Sequence, residues 1–177
     1  MEHSVSTLKT NTIQAATGST VSIASGNKIS GAAGSIVAPG QILQVVTATD
    51  STERTTTSTS FVAASNTLSV SITPSSASNK IFVTCSMSYG SPTGTHSIFL
   101  TLFRDSTNLG EPTRGFGNLF SGSSYNYSHA TLQILDSPNT TSAITYQPYF
   151  KVGNNTGRIN NGGTGSFSTI TAFEVAG

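Results

Sequence analysis

The sequence has little charge: Asp, Glu, Lys and Arg make up 8% of its 177 residues, against roughly 25% in an ordinary soluble domain. Its eight Lys and Arg are scattered singly from Lys9 to Arg158, without the clustered cations of a nucleic-acid binder. Tryptophan is absent, and the single cysteine, Cys85, has no partner for an internal disulfide. It lies in the apolar run Ile81-Phe82-Val83-Thr84-Cys85 and reads as a small buried hydrophobe. No apolar segment approaches the roughly 20 residues that span a bilayer. The opening Met1-Glu2-His3-Ser4 has neither the basic nor the apolar region of a signal peptide. These absences set three expectations: no nucleic-acid partner, no membrane insertion, and synthesis in the cytoplasm without export machinery of its own.

Catalytic motifs are missing too. There is no His-X-His, His-Glu-X-X-His or Cys-X-X-Cys, so His3, His96 and His129 suggest no metal site. Gly115-Phe116-Gly117 lacks the later glycine of a dinucleotide fingerprint, and Gly163-Thr164-Gly165-Ser166 does not match a nucleophile elbow. Glu53, Asp105, Glu111, Asp136 and Glu174 could in principle supply a glycosidase pair. Asp105 and Asp136, however, sit in turn motifs, where a carboxylate ordinarily caps backbone. The expectation is a protein that is not an enzyme and needs no cofactor and no metal.

What the sequence has is hydroxyls and glycine. About a third of the chain is Ser or Thr, and 17 residues are Gly. Ser and Thr compete with helical hydrogen bonding and Gly loses too much backbone entropy in a helix, while Thr, Val, Ile, Phe and Tyr fit a pleated surface. Two regions separate by composition. Residues 1–40 carry isolated Ile13, Val21, Ile23, Ile29 and Ile36 among Ser, Thr, Gly and Asn, too few apolar groups for a core within one chain. Such an arm is either disordered or wound with other copies; the recurring Gly and β-branched pattern favours the second. Residues 41–177 read as successive strands. Gln41–Thr47 is apolar, Thr55–Val62 is Thr-rich, and Thr67–Ile72 alternates with period two. Lys80–Tyr89, Ser97–Arg104, His129–Leu135, Ala143–Val152 and Ser168–Val175 follow, separated by turn signals such as Asp105-Ser106-Thr107-Asn108 and Asp136-Ser137-Pro138-Asn139. The fold class expected is all-β: an extended, rod-like arm followed by a jelly-roll-like antiparallel β-sandwich.

Two groups of residues stand out. Arg104 and Glu174 each interrupt an apolar strand, where a charge needs a partner; a salt bridge between them, within or between subunits, is one expectation and solvent exposure on an outer face the other. The irregular stretch Gly115–Asn126 and its flank hold Phe116, Phe120, Tyr125, Asn126 and Tyr127 among Gly and Ser. Rigid rings set among small hydrogen-bonding residues resemble a binding surface, so these five are the receptor-binding candidates, suited to a cell-surface glycan. The alternative is that the rings fill the gap between sheets or a subunit interface.

The chain also resembles the small virion fibre proteins of tailed bacteriophages, marine and cyanobacterial ones especially. The resemblance rests on Leu8-Lys9-Thr10-Asn11-Thr12-Ile13-Gln14, on Gly34-Ser35-Ile36-Val37-Ala38-Pro39-Gly40-Gln41, and on Ser71-Ile72-Thr73-Pro74-Ser75-Ser76. Further along, Leu102-Phe103-Arg104-Asp105, Leu135-Asp136-Ser137-Pro138, Ser142-Ala143-Ile144-Thr145-Tyr146 and Phe173-Glu174-Val175-Ala176-Gly177 follow in order. It implies a virion protein forming a homotrimer, an N-terminal arm attaching to other virion proteins, and a C-terminal sandwich knob. An arm of about forty residues is far shorter than a long tail fibre's rod. A short fibre, an adaptor or decoration protein of capsid or baseplate, and a stand-alone carbohydrate-binding module therefore remain as alternatives.

Overall fold

Strict alternation of buried and outward residues runs through the longest strands, and it dictates two sheets with one shared interior. In the computed structural model, which describes residues 23–27, 29, 36, 38–92, 96–121, 126–160 and 166–177, the chain divides into two units, Met1–Ile36 and Val37–Gly177. The extended arm expected over residues 1–40 lies largely outside the described residues. What is described of the first unit includes a turn in which Asn27 N donates to Ala24 O at 3.1 Å, with Gly26 in the left-handed region.

The second unit is all-β among its described residues. One sheet holds β1 (Ile42–Asp50), β2 (Arg54–Thr56), β5 (Lys80–Ser91), β9 (Asn126–Asp136), β11 (Gly157–Ile159) and β12 (Ser168–Val175). The other holds β3 (Val62–Ala63), β4 (Val70–Ile72), β6 (His96–Arg104), β7 (Thr107–Asn108), β8 (Gly117–Ser121) and β10 (Ile144–Val152). In the first sheet β9 runs along one side of β5, while β12 and then β11 share the other; β1 lies outside β12 and β2 outside β11. In the second, β10 and β6 are the central pair. Every pairing of named strands is antiparallel. The β-sandwich expected from the alternation is therefore the observed fold.

The core lies between the sheets. Ile81, Val83, Cys85 and Met87 of β5 and Ile170 and Ala172 of β12 face Ile98, Leu100 and Leu102 of β6 and Ile144, Tyr146, Phe150 and Val152 of β10. Each large buried aliphatic side chain contributes about 1.5–3 kcal/mol through removal from water. Cys85 is fully buried, and burial pushes its thiol up to about 12.

Local side-chain bonding decides where strands break. The Thr-rich segment expected as one strand over 55–62 is split into β2 and β3. Ser58 N donates to Thr56 Oγ1 at 3.1 Å and Ser58 Oγ donates to Ser60 O at 2.7 Å, which draws this backbone out of the ladder. In the alternating segment 67–72, Ser65 Oγ accepts Thr67 N and Leu68 N at 3.0 and 3.1 Å, leaving only β4 to pair. The stretch 115–126, expected as an irregular loop, contains β8, which pairs with β6 from Leu100↔Gly117 to His96↔Ser121. The β6–β7 hairpin turns at Asp105, which takes φ 51°, a conformation that Asp and Asn adopt more readily than other side chains.

Candidate functional site

The sandwich consumes its buried charges internally. Arg104 does not meet Glu174: Arg104 is on β6 of one sheet and Glu174 on β12 of the other. Arg104 Nη1 instead lies 2.8 and 2.9 Å from the carboxylate oxygens of Asp136, which also accepts the Tyr146 hydroxyl at 2.6 Å. Within the chain the expected pairing is corrected, because the end of β9 carries Asp136 to the inner face, within reach of Arg104. Burial, with the hydrogen bond to Asp136 acting in the same direction, pushes the Tyr146 phenol well above its usual range.

Glu174, 1% exposed, is held by neutral donors: Gln44 Nε2 at 2.6 Å, Ser75 N at 2.6 Å, Ser75 Oγ at 2.8 Å and Asn79 Nδ2 at 2.6 Å. Burial works against its charge, but the bonds from Asn79, Gln44 and Ser75 outweigh it and hold the carboxyl below its ordinary value. Toward the other end of β1, Asp50 accepts Ser65 Oγ and, at 2.8 Å, Thr52 N. Its pKa is likewise lowered, hydrogen bonds from Ser65 and Thr52 exceeding the effect of burial. Asn160 adds a pin that sequence reading missed. Its amide donates to Asp50 O and Thr52 O, more than a hundred residues away, and accepts Ser168 Oγ at 2.7 Å from the start of β12. Asp105 accepts backbone, but from the neighbouring strand β10, Thr145 N at 2.9 Å, and Asp136 takes Arg104 and Tyr146; the turn-capping role expected of both is corrected. Among the described residues no group of three His, Cys, Asp or Glu is arranged to hold a metal, and no helix is long and apolar enough to cross a membrane.

The receptor-binding candidates divide. Phe116 is partly buried and packs against the core. Phe120 is 67% exposed on β8, in one sheet, while Tyr127 is 37% exposed on β9, in the other. Asn126 opens β9 and pairs with Ser91, and Tyr125 lies outside the described residues. The sandwich thus places the described candidates on two sheets rather than on one loop.

A surface that sequence reading did not single out is the outer face of the β1-β12-β5-β9 sheet. Register aligns Val45, Phe173, Phe82 and Leu135 in one outward row, with Ile42 and Val175 paired beside it. The Phe82 and Phe173 rings lie 6.0 Å apart, while Ile42, Val45 and Leu135 are 52–55% exposed. The next rows along the same strands are polar: Thr47, Thr171, Thr84 and Gln133, then Thr49, Thr169, Ser86 and Thr131. Beyond them Ser88 pairs with His129 and Gly90 with Tyr127. The face therefore has an apolar end and a hydroxyl-rich end with exposed rings. The signal was present in the sequence as the outward set of the period-two strands, but only the register joins those sets across four strands.

The molecule so defined is a β-sandwich whose charges pin its own framework and whose outer sheet offers a divided surface. No family model and no curated protein matches the chain. Among solved structures, the chain is similar to a viral particle of infectious bursal disease virus at 13% identity and TM-score 0.42, covering 75% of this chain. It is also similar to the structure of the Gt strain of that virus at 11% identity and TM-score 0.42, covering 85%. A mutant VP2 protein of the same virus, in derived T=1 particles, gives 14% identity and TM-score 0.41 over 75%. The chain spans between 35% and 42% of the length of these three.

Proposed function

We propose that the chain is a virion structural protein, a short fibre in which three copies associate and present the sandwich as a knob. The family resemblance of the sequence supports the virion role, and one structural observation carries the self-association: the outward apolar row Val45, Phe173, Phe82 and Leu135. A contiguous exposed patch of this kind marks an interaction surface. Its position fits a second copy as the occupant. The chain enters the sandwich at this same end, where Gly40 N donates to Ala176 O at 2.8 Å and Gly40 and Ile42 border the patch. If arms too poor in apolar groups to fold alone wind together, the knobs meet where the arms leave them. The lining Ile42, Phe82, Leu135, Phe173 and Val175 carries no charge to favour an ionic partner.

Sedimentation of the full chain at micromolar concentration tests this. A mass three times that of one chain is expected, with Leu135→Glu shifting it to a monomer that keeps the β circular dichroism of the parent chain. A wild-type monomer overturns the fibre reading in favour of a stand-alone module. A trimer that survives Leu135→Glu removes this face from the interface.

A further inference from the structure

We infer that the hydroxyl-rich end of the same sheet face is a binding site for a neutral oligosaccharide. A shallow depression of about 370 Å³ lies there, lined by Ser86 and Ser88 of β5, His129 of β9, and Ser166, Phe167 and Thr169 at the start of β12. The Phe167 ring is 63% exposed. Ser86 Oγ and His129 Nε2 are 3.5 Å apart. On the adjacent row Tyr127 lies over Gly90, whose missing side chain makes room for the ring: a Cβ added there would overlap Tyr127. Arg158 Nη1 reaches the Tyr127 hydroxyl at 3.4 Å, which fixes the outer end of the ring. The position thus offers two exposed aromatic surfaces beside a set of groups that both donate and accept.

The ligand class follows from what these groups can and cannot do. Arg158 is already paired with Glu53 at 3.3 Å, so ionic recognition of a phosphate or a carboxylate is poorly served. An extended peptide recognised by strand addition needs free backbone groups at a sheet edge. Here Ser86 sits between β9 and β12, and its backbone lies in the ladders. A sugar presents apolar C–H faces that cover aromatic rings and a dense array of hydroxyls that match Ser, Thr and His. Rigid rings supply such contact area at low entropic cost. The site also lies four to six residues along β5 from Phe82, at Ser86 and Ser88, about 13–20 Å at strand spacing. It is therefore at the opposite end of the sheet from the point where the chain enters the sandwich. That it faces outward at the tip rests on the fibre reading; the site itself does not.

The test is a titration of the full chain, followed by amide NMR shifts, with tetramers of glucose, galactose, mannose and N-acetylglucosamine as probes. At least one probe is expected to bind in the millimolar range, with shifts centred on Ser86, Ser88, His129 and Thr169. Phe167→Ala and His129→Ala should each weaken that binding about tenfold with melting unchanged, and Asn118→Ala on the other sheet should not. Absence of shifts with all four probes overturns the proposal, as does binding that both Phe167→Ala and His129→Ala leave intact. Sedimentation of the same samples keeps the two readings apart. A monomer that binds sugar overturns the fibre and leaves the site standing, whereas a trimer that binds none does the reverse.

Discussion

Arg104 and Asp136 tie the two sheets together at one end of the sandwich, Arg104 Nη1 lying 2.8 and 2.9 Å from the two carboxylate oxygens. Arg104 is the cross-strand partner of Tyr146, whose hydroxyl donates to the same carboxylate at 2.6 Å. Two donors from one sheet thus converge on a single acceptor from the other.

Removing the cation should therefore be costly. Arg104→Met leaves Asp136 buried with only part of its hydrogen bonding, and is expected to lower stability by about 2–4 kcal/mol in urea unfolding. The double variant with Asp136→Leu should recover only part of that loss, because no unpaired charge remains but the buried Tyr146 hydroxyl loses its acceptor. Strictly additive effects in the double-mutant cycle would show that the pair is not coupled.

Acid should weaken the fold through Glu174 and Asp50. Both carboxyls have folded pKa values below their ordinary 4.5 and 3.8, so the unfolded chain takes up protons first as pH falls. Their stabilisation is fully present above the ordinary values and is lost as pH drops through the folded ones. Glu174→Gln should flatten the Glu174 part of this acid limb below pH 4.5 and cost about 1–3 kcal/mol at neutral pH, since an amide brings a donor among four existing donors. Equal acid slopes for the variant and the parent chain would contradict the assignment.

The two phenylalanines of the 115–121 segment should separate by stability. Phe116→Ala removes a ring packed on the core and is expected to cost about 2–4 kcal/mol, whereas Phe120→Ala, 67% exposed, should stay within about 0.5 kcal/mol. Thermal melts of the two single variants decide it; similar losses would mean the Phe120 ring is covered.

Cys85 should be silent to thiol reagents in the folded chain. Its thiol is fully buried and pushed up to about 12, so the reactive thiolate is scarce at neutral pH and out of reach. Ellman's reagent at pH 8 should label it only after urea is added; rapid labelling of the folded chain would refute its burial.

Strand existence was legible wherever alternation ran long. Lys80–Tyr89 and Ala143–Val152 are strands because every second side chain is apolar, and β5 and β10 bury that set; β12 alternates likewise but buries Ser168 and Glu174 with Ile170 and Ala172. Legibility failed where local hydrogen bonding competes with the ladder, as at Ser58 and Ser65, whose hydroxyls bond nearby backbone. It failed also for β8 and β11, strands that begin at Gly and are too short to show a period of their own, whose pairing is dictated by long neighbours.

The sequence by itself determined that the sandwich is all-β over its described residues, that Cys85 is buried, and that Arg104 and Glu174 need partners. Those follow from composition, from period two, and from the cost of placing a charge in an apolar strand. Which partners they take was decided only by tertiary structure. Asp136 is 32 residues from Arg104, and Ser75 and Asn79 are 99 and 95 residues from Glu174. The divided outer face is of the same kind, since Val45, Phe173, Phe82 and Leu135 form one row only through the register of four strands. Local pattern sets which side of a strand is apolar; sheet pairing, a long-range choice, sets which apolar sides lie together.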